Sequence, residues 1–265
     1  MNLEFETLAG ELFDTHTHLY HEQFARDIDQ VFSRMNAAGI NRIMCVGFDE
    51  SSSRQAVAMA ESRSGVVAAV GVHPHDAKAT TPNYLSSLAE LAGHPRVVAL
   101  GEMGLDYYRD LSPRPVQQRV FREQLALVRE LEMPVIIHAR EAYGDLIEIL
   151  RQDGISRAGG VVHCFSSSWE VAKVFMGMGF YISLAGPVTY KNSKKSKEVA
   201  VRVPQERLLI ETDCPFLTPE PYRGRRNEPA YVRYVAEHIA ALREITLEEL
   251  ARLTTDNAKK LFRID

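Results

Sequence analysis

An α/β fold, a (β/α)8 barrel of the TIM type with an additional C-terminal helix, is predicted by three features of the 265-residue sequence. Eight short apolar runs recur along the chain, amphipathic helix-permissive stretches separate and follow them, and no Pro/Gly/Ser-rich linker interrupts the alternation. Continuous apolar strands alternating with helices argue for a parallel sheet covered on its outer face, and eight such units are the number that closes a barrel. A doubly wound open sheet is the alternative. Residues 1–265 are read as a single domain, a length that α/β barrels commonly occupy.

The strand candidates are LFDTH (12–16), RIMCVG (42–47), VVAAVGV (66–72), RVVALG (96–101), PVIIH (134–138), GVVH (160–163), FYIS (180–183) and RLLIE (207–211). Each is short, apolar and enriched in residues that favour extended chain. The helical stretches are 26–38, 51–63, 82–92, 115–130, 141–152, 168–177, 194–201 and 228–242. The tail ITLEELARLTTDNAKKLF (245–262) opens with Thr246 and Glu249 in capping-box spacing, which predicts one further helix packed on the barrel.

Hydrophobic residues at 45% and charged residues at 25% are ordinary globular values. No run approaches the roughly 18 apolar residues of a membrane span, and the start MNLEFETLAGE lacks the basic and apolar regions of a signal peptide. A cytoplasmic location without a membrane partner is therefore expected, and no feature calls for an obligate protein partner. Cys45, Cys164 and Cys214 are widely spaced and odd in number, which excludes a disulfide framework and a CxxC metal motif. A net charge of −4 means that any nucleic-acid binding must come from a local patch.

In FDTHTHLY (13–20), His16 and His18 stand two residues apart, a spacing that presents both imidazoles on one side of an extended segment. Active sites in this fold lie at the carboxyl ends of the strands. His16 and His18 close strand one, His73 follows strand three, Glu102 follows strand four, and His138, His163 and Asp213 end strands five, six and eight. Singly, each of these reads as a helix cap or a satisfied core residue; together they converge on one mouth. His21, His94 and His238 lie within helices or before prolines and are given structural roles.

Even with His73 set aside, four imidazoles and two carboxylates exceed what one tetrahedral ion requires, so two divalent ions are implied. Glu102 lies midway round the ring, where one carboxylate can bridge them. Such a pair sits about 3.5–4 Å apart and shares an attacking oxygen, which makes hydrolysis the natural chemistry. Imidazole-rich coordination favours Zn, Mn, Fe, Co or Ni over Mg, so the identity of the ions stays open among Mg, Mn and Zn.

The motifs DTHTHL (14–19), GVHPHD (71–76), GEMGLDYY (101–108), PVIIHAR (134–140), HCFSSS (163–168), GFYIS (179–183), LIETDCPFL (209–217), PYRGRRNEP (221–229) and TDNAKKLF (255–262) together resemble the TatD family of metal-dependent deoxyribonucleases, within the amidohydrolase-like hydrolases. The resemblance covers nearly the whole chain. It implies that His16, His18 and Asp213 serve one ion, that His138 and His163 serve the other, and that Glu102 bridges both. It also implies that His73 and Arg140 contact the phosphate or leaving group and that Arg223 helps to hold a substrate phosphate, a task its fork suits. Asp213 is in addition a candidate general base for the attacking water. Tyr222, Cys214 and Met103 stand where relatives often carry His, Ser and Thr.

The function expected is phosphodiester hydrolysis, a deoxyribonuclease removing nucleotides from a DNA end in the 3′-to-5′ sense, with DNA as the substrate partner. The basic stretch YKNSKKSK (190–197) could track a phosphate backbone; the plainer reading is a solvated loop. The alternative chemistry on the same barrel is hydrolysis of esters, lactones or amides, including an aminoacyl ester on tRNA. A catalytically silent barrel that only binds is a third class. Cys164, beside His163, is not expected to be a nucleophile, since strand neighbours face opposite ways.

Overall fold

The computed structural model describes residue 5 and residues 7–265. Among these residues eight parallel strands run in the order β1 to β8: Leu12–Thr17, Ile40–Val46, Val66–Val70, Val97–Asp106, Val135–Arg140, Gly160–Val162, Phe180–Leu184 and Leu208–Ile210. The helices that alternate with them are α1 Ile28–Ala37, α2 Glu50–Ser62, α3 Tyr84–Ala92, α4 Arg114–Glu130, α5 Tyr143–Asp153, α6 Trp169–Gly177, α7 Lys194–Arg202 and α8 Val232–Arg243. A ninth, α9, spans Leu247–Phe262, and Thr246 Oγ1 accepts the Glu249 N–H at 3.1 Å to cap it.

The seam between β1 and β8 closes through the segment after β8. Asp213 N–H donates to His16 O and His18 N–H donates to Cys214 O, both at 2.9 Å, and Thr17 bridges Cys214 in parallel. The buried Asp14 carboxylate reinforces this seam by accepting Thr212 N–H at 2.8 Å and Thr212 Oγ1–H at 2.6 Å. The sheet is therefore a closed barrel.

Alternation along each strand sorts the apolar side chains into two cores. Phe13, Met44, Ala69, Ala99, Ile136, Val161, Tyr181 and Leu209, one from each strand, fill the barrel interior. The intervening residues, among them Ile43, Val70, Ile137, Val162, Ile182 and Ile210, pack outward against the helices. α9 closes the end of the barrel where the strands begin: Ala258, Leu261 and Phe262 join the inner core, and Phe262 lies 6.4 Å from Phe13 between ring centroids. Thr255 and Asn257 tie α9 to the carbonyls of Glu11, Gln205 and Leu208. With one end plugged, the polar mouth at the strands' carboxyl ends is the end left for chemistry.

One boundary departs from expectation in a way that matters. The run ending at Gly101 places Glu102 after strand four, whereas β4 continues to Asp106 and carries Glu102 inside it. Pairing with β5 slips between Leu100 and Met103, and glycines bracket the slip. Gly101 and Gly104 have φ of 141° and 146°, and a Cβ would meet Ile136 O at 2.6 Å and His138 O at 2.0 Å, respectively. Only glycine fits so close to the neighbouring backbone. A second slip, in β1 between Asp14 and Thr17, lies beside His16.

Candidate metal centre

The alternation that fills the interior also aims the site. On β5 the inward residue Ile136 is followed two positions later by His138, on β6 Val161 by His163, and after β8 Leu209 by Glu211 and then Asp213. On β1 and β4 the slips change the parity, so that His16 and Glu102 turn inward although Phe13 and Ala99 set the opposite phase. Asp213 adopts left-handed backbone, φ 59°, where the chain leaves the strand, a conformation that aspartate tolerates better than most residues.

Glu102 is the hub. Its Oε1 lies 2.7 Å from His163 Nε2, 2.8 Å from His138 Nδ1 and 3.4 Å from His73 Nε2, and its Oε2 lies 3.3 Å from His16 Nε2. Asp213 Oδ1 lies 3.4 Å from His18 Nε2 and 3.8 Å from His16 Nε2. All seven residues expected from the sequence thus share one cluster. Three overlapping groups keep their donor atoms within 4.8 Å of one another: His16, His18 and Asp213; His16, Glu102 and His163; His73, Glu102 and His138. The first is the grouping that the family resemblance implies. In the others His73 joins the donors, and His163 is grouped with His16, although its Nε2 is also 3.3 Å from His138 Nδ1.

The ring orientations fit a metal. His18 Nδ1 faces Val46 O at 2.8 Å, His163 Nδ1 faces Glu211 Oε1 at 3.1 Å, and His138 Nε2 faces Asp106 Oδ2 at 3.1 Å. Each of these partners can only accept, so the proton belongs on that nitrogen and the other nitrogen is presented to the cluster, the arrangement that orients histidine ligands. His73 Nδ1 accepts the His75 N–H at 3.1 Å, which leaves its Nε2 toward Glu102. His16 is fully buried, and neither of its ring nitrogens has a hydrogen-bond partner. An unsatisfied buried imidazole beside two carboxylates is costly without a cation to receive its lone pair.

Three buried carboxylates at this end are not among the residues expected from the sequence. Asp106 Oδ2 holds His138 and His75, at 3.1 and 2.9 Å, while its Oδ1 accepts the backbone N–H groups of Tyr108 and Arg109 at 3.0 and 2.7 Å. Glu211 receives Cys164 N–H and Ser183 Oγ–H besides His163. Asp14 anchors the turn that carries Asp213. A signal existed: Glu211 is two residues before Asp213, and Asp106 four after Glu102, each in phase with a candidate ligand.

Charge follows geometry. Burial alone would raise Glu102, yet the imidazoles of His163, His73, His138 and His16 hold its carboxyl well below the usual range. Burial works against protonated His163 and His138, but the carboxylates facing them, Glu102 and Glu211 for the first and Asp106 and Glu102 for the second, raise both. His18 is raised by Asp213 in the same way, whereas burial lowers His16 and draws His73 down to about 4. A divalent cation must displace the protons on His18, His138 and His163. Metal uptake is therefore expected to release protons, with apparent affinity climbing as pH rises past the ordinary histidine range. Raised imidazole pKa values stabilise the metal-free fold at low pH, and that contribution is lost as pH rises through them, so added metal should restore stability most in alkaline solution. Calorimetric titration in buffers of different ionisation enthalpy measures the released protons; uptake without release contradicts this account.

Burial and the carboxylates of Asp213, Glu211 and Glu102 push the Cys164 thiol well up, which disfavours the thiolate that a nucleophile needs. Arg140 ends β5, exposed, with its guanidinium 4.0 Å from the Tyr108 ring centroid, and exposed Arg223 lies 4.1 Å over Tyr190. Arg226 serves the fold, gripping Asp27 through both terminal nitrogens at 2.6 and 2.8 Å. Tyr222 stacks on Tyr231 at 5.0 Å. His21 caps a short turn and His94 pairs with Glu61, as befits structural residues. No described helix is long and apolar enough to cross a membrane.

A parallel eight-stranded barrel with buried, preoriented histidines gathered round carboxylates at its open end defines a metal-dependent hydrolase. The family description "TatD related DNase" matches residues 13–263, and the chain belongs to that family. It is 53% identical over 254 residues, 96% of this chain and 100% of the relative, to the uncharacterized metal-dependent hydrolase YabD of Bacillus subtilis. It is 36% identical over 259 residues, 96% of this chain and 98% of the relative, to the 3'-5' ssDNA/RNA exonuclease TatD of Klebsiella pneumoniae. Among solved structures it resembles YJJV, a TatD homologue from Escherichia coli, with a TM-score of 0.91 and 30% identity over 96% of this chain and 98% of that one.

Proposed function

We propose that this chain is a binuclear metal-dependent exonuclease that removes nucleotides from the 3′ end of DNA. The observation that carries the reading is Glu102, one buried carboxylate within 3.4 Å of four imidazoles. His16, His18 and Asp213 would hold one divalent ion and His138 and His163 the other, with Glu102 serving both. Mg, Mn or Zn, when bound, supplies Lewis acidity that activates water and neutralises charge on a phosphate.

The protein's own groups supply the remainder. Asp213, kept ionised against burial by His18, His16 and His163, takes the proton of the attacking water at its carboxylate. Neutral His73 presents Nε2 toward the scissile group, and Arg140 and Arg223 hold phosphate oxygens from the rim. Asp106 and Glu211 keep His138 and His163 in register. The exonuclease name of the relative from Klebsiella pneumoniae supports the substrate class.

The test is turnover of single-stranded DNA, duplex DNA, RNA and a panel of small esters, each with Mg²⁺, Mn²⁺ and Zn²⁺. Stepwise shortening of a 5′-labelled DNA strand is expected; ester hydrolysis without strand shortening would overturn the reading in favour of an esterase. The lysine run enters through α7, whose first turn carries Lys194 and Lys195, both exposed, while Lys197 is half-buried. Replacing all three by alanine should weaken DNA binding and flatten its log–log salt slope by about 0.7 for each phosphate no longer neutralised. An unchanged slope removes these lysines from the interface.

A further inference from the structure

Among the described residues, six large hydrophobic side chains are exposed, and four of them stand in two loops at the mouth. Tyr108 and Leu111 lie between β4 and α4, and Phe216 and Leu217 lie between β8 and α8. In a closed eight-stranded order β4 and β8 are four strands apart in either direction, so these loops face each other across the metal centre. Tyr108 is 55% exposed and Phe216 47% exposed, although each is tightly held at its backbone. The Tyr108 N–H is bound by Asp106, the carboxylate that orients His138; the Phe216 N–H is bound by Asp213 O at 2.9 Å. Phe216 also meets His18 at 6.2 Å between centroids.

Two aromatic rings, anchored at their backbones and left open to solvent on opposite sides of the proposed phosphate-handling centre, suit an occupant with flat apolar faces on either side of a phosphate. Arg140 stacks on Tyr108, and Arg223, which lies over Tyr190, belongs to the same β8–α8 loop as Phe216. Stacking on aromatic side chains is how proteins hold bases of unpaired strands, and it tolerates any base. Resting on the exonuclease reading above, we infer that Tyr108 and Phe216 are nucleobase platforms. Each takes one of the two bases flanking the scissile phosphate, so the substrate step is a splayed dinucleotide. A paired end fails to fit until its last bases open.

The experiment compares kcat/KM for three DNA strands: one intact, one abasic at the 3′-terminal nucleotide, and one abasic at the penultimate nucleotide. For the wild type, each missing base should lower kcat/KM about five-fold or more. In Tyr108→Ala one of the two penalties should vanish, in Phe216→Ala the other, and in the double variant both. Tyr108→Phe and Phe216→Tyr, which retain the ring face, should keep them. Both penalties persisting in both alanine variants overturns this inference alone. A wild-type protein that cleaves no strand while hydrolysing small esters overturns the exonuclease reading, and this one with it.

Discussion

Glu102→Gln protein is expected to lose at least half of its bound metal and to turn over more slowly by a factor on the order of 10³, about 4 kcal/mol of barrier. The substitution keeps size and shape and removes one charge. In the native protein that charge faces His16, His73, His138 and His163 together, and it is the carboxylate common to two of the three donor groups. A neutral amide also turns N–H hydrogens toward whatever its neighbours hold, which repels a cation. Because Glu102 is held below its ordinary pKa, its charge stabilises the fold above about pH 4, and that contribution is lost as the pH falls through the folded value. The glutamine variant should therefore lose less stability on acidification in the metal-free state. Elemental analysis, steady-state rates and melting curves against pH test all three consequences; full metal occupancy with undiminished turnover would sink the account of the site.

Phe262→Ala is expected to destabilise the fold by about 3–5 kcal/mol and leave the chemistry of the folded fraction intact. Phe262 is 2% exposed at the end of α9, against Phe13 in the barrel interior, where the strands on every side prevent collapse around a missing ring. At roughly 2–4 °C per kcal/mol for a chain of this size, melting should fall by about 6–20 °C. The metal centre is at the opposite end of the strands, so metal content and kcat per folded molecule should stay as in the wild type. Unchanged melting, or metal loss at unchanged melting, would show that α9 does something other than plug the barrel.

Much of this arrangement was legible in the sequence, because strand alternation is local. His138 two residues after Ile136, His163 two after Val161, and Asp213 four after Leu209 all lie in phase with the residues that fill the barrel. Helices and strands likewise sit close to their expected bounds, since each run carries its own periodicity. The supporting carboxylates are a different case. Asp106 and Glu211 are ordinary acidic residues until His138 and His163, brought in from other strands, lie against them. The arginines of PYRGRRNEP look equivalent in the chain, yet Arg226 is committed to Asp27, about two hundred positions away, while Arg223 stays at the rim.

From the sequence alone came the eight-fold alternation, the additional C-terminal helix, and the set of histidines and carboxylates that end at one mouth. The slips in β1 and β4 that turn His16 and Glu102 inward, and the grouping of donors that puts His73 beside Glu102 and His138, belong to the tertiary structure. The reason is steric and non-local. A residue's phase along its strand depends on its immediate neighbours, but where that phase must break depends on how closely the next strand's backbone approaches, as His138 O does at Gly104. Which imidazole meets which oxygen depends in turn on the closure of the whole ring.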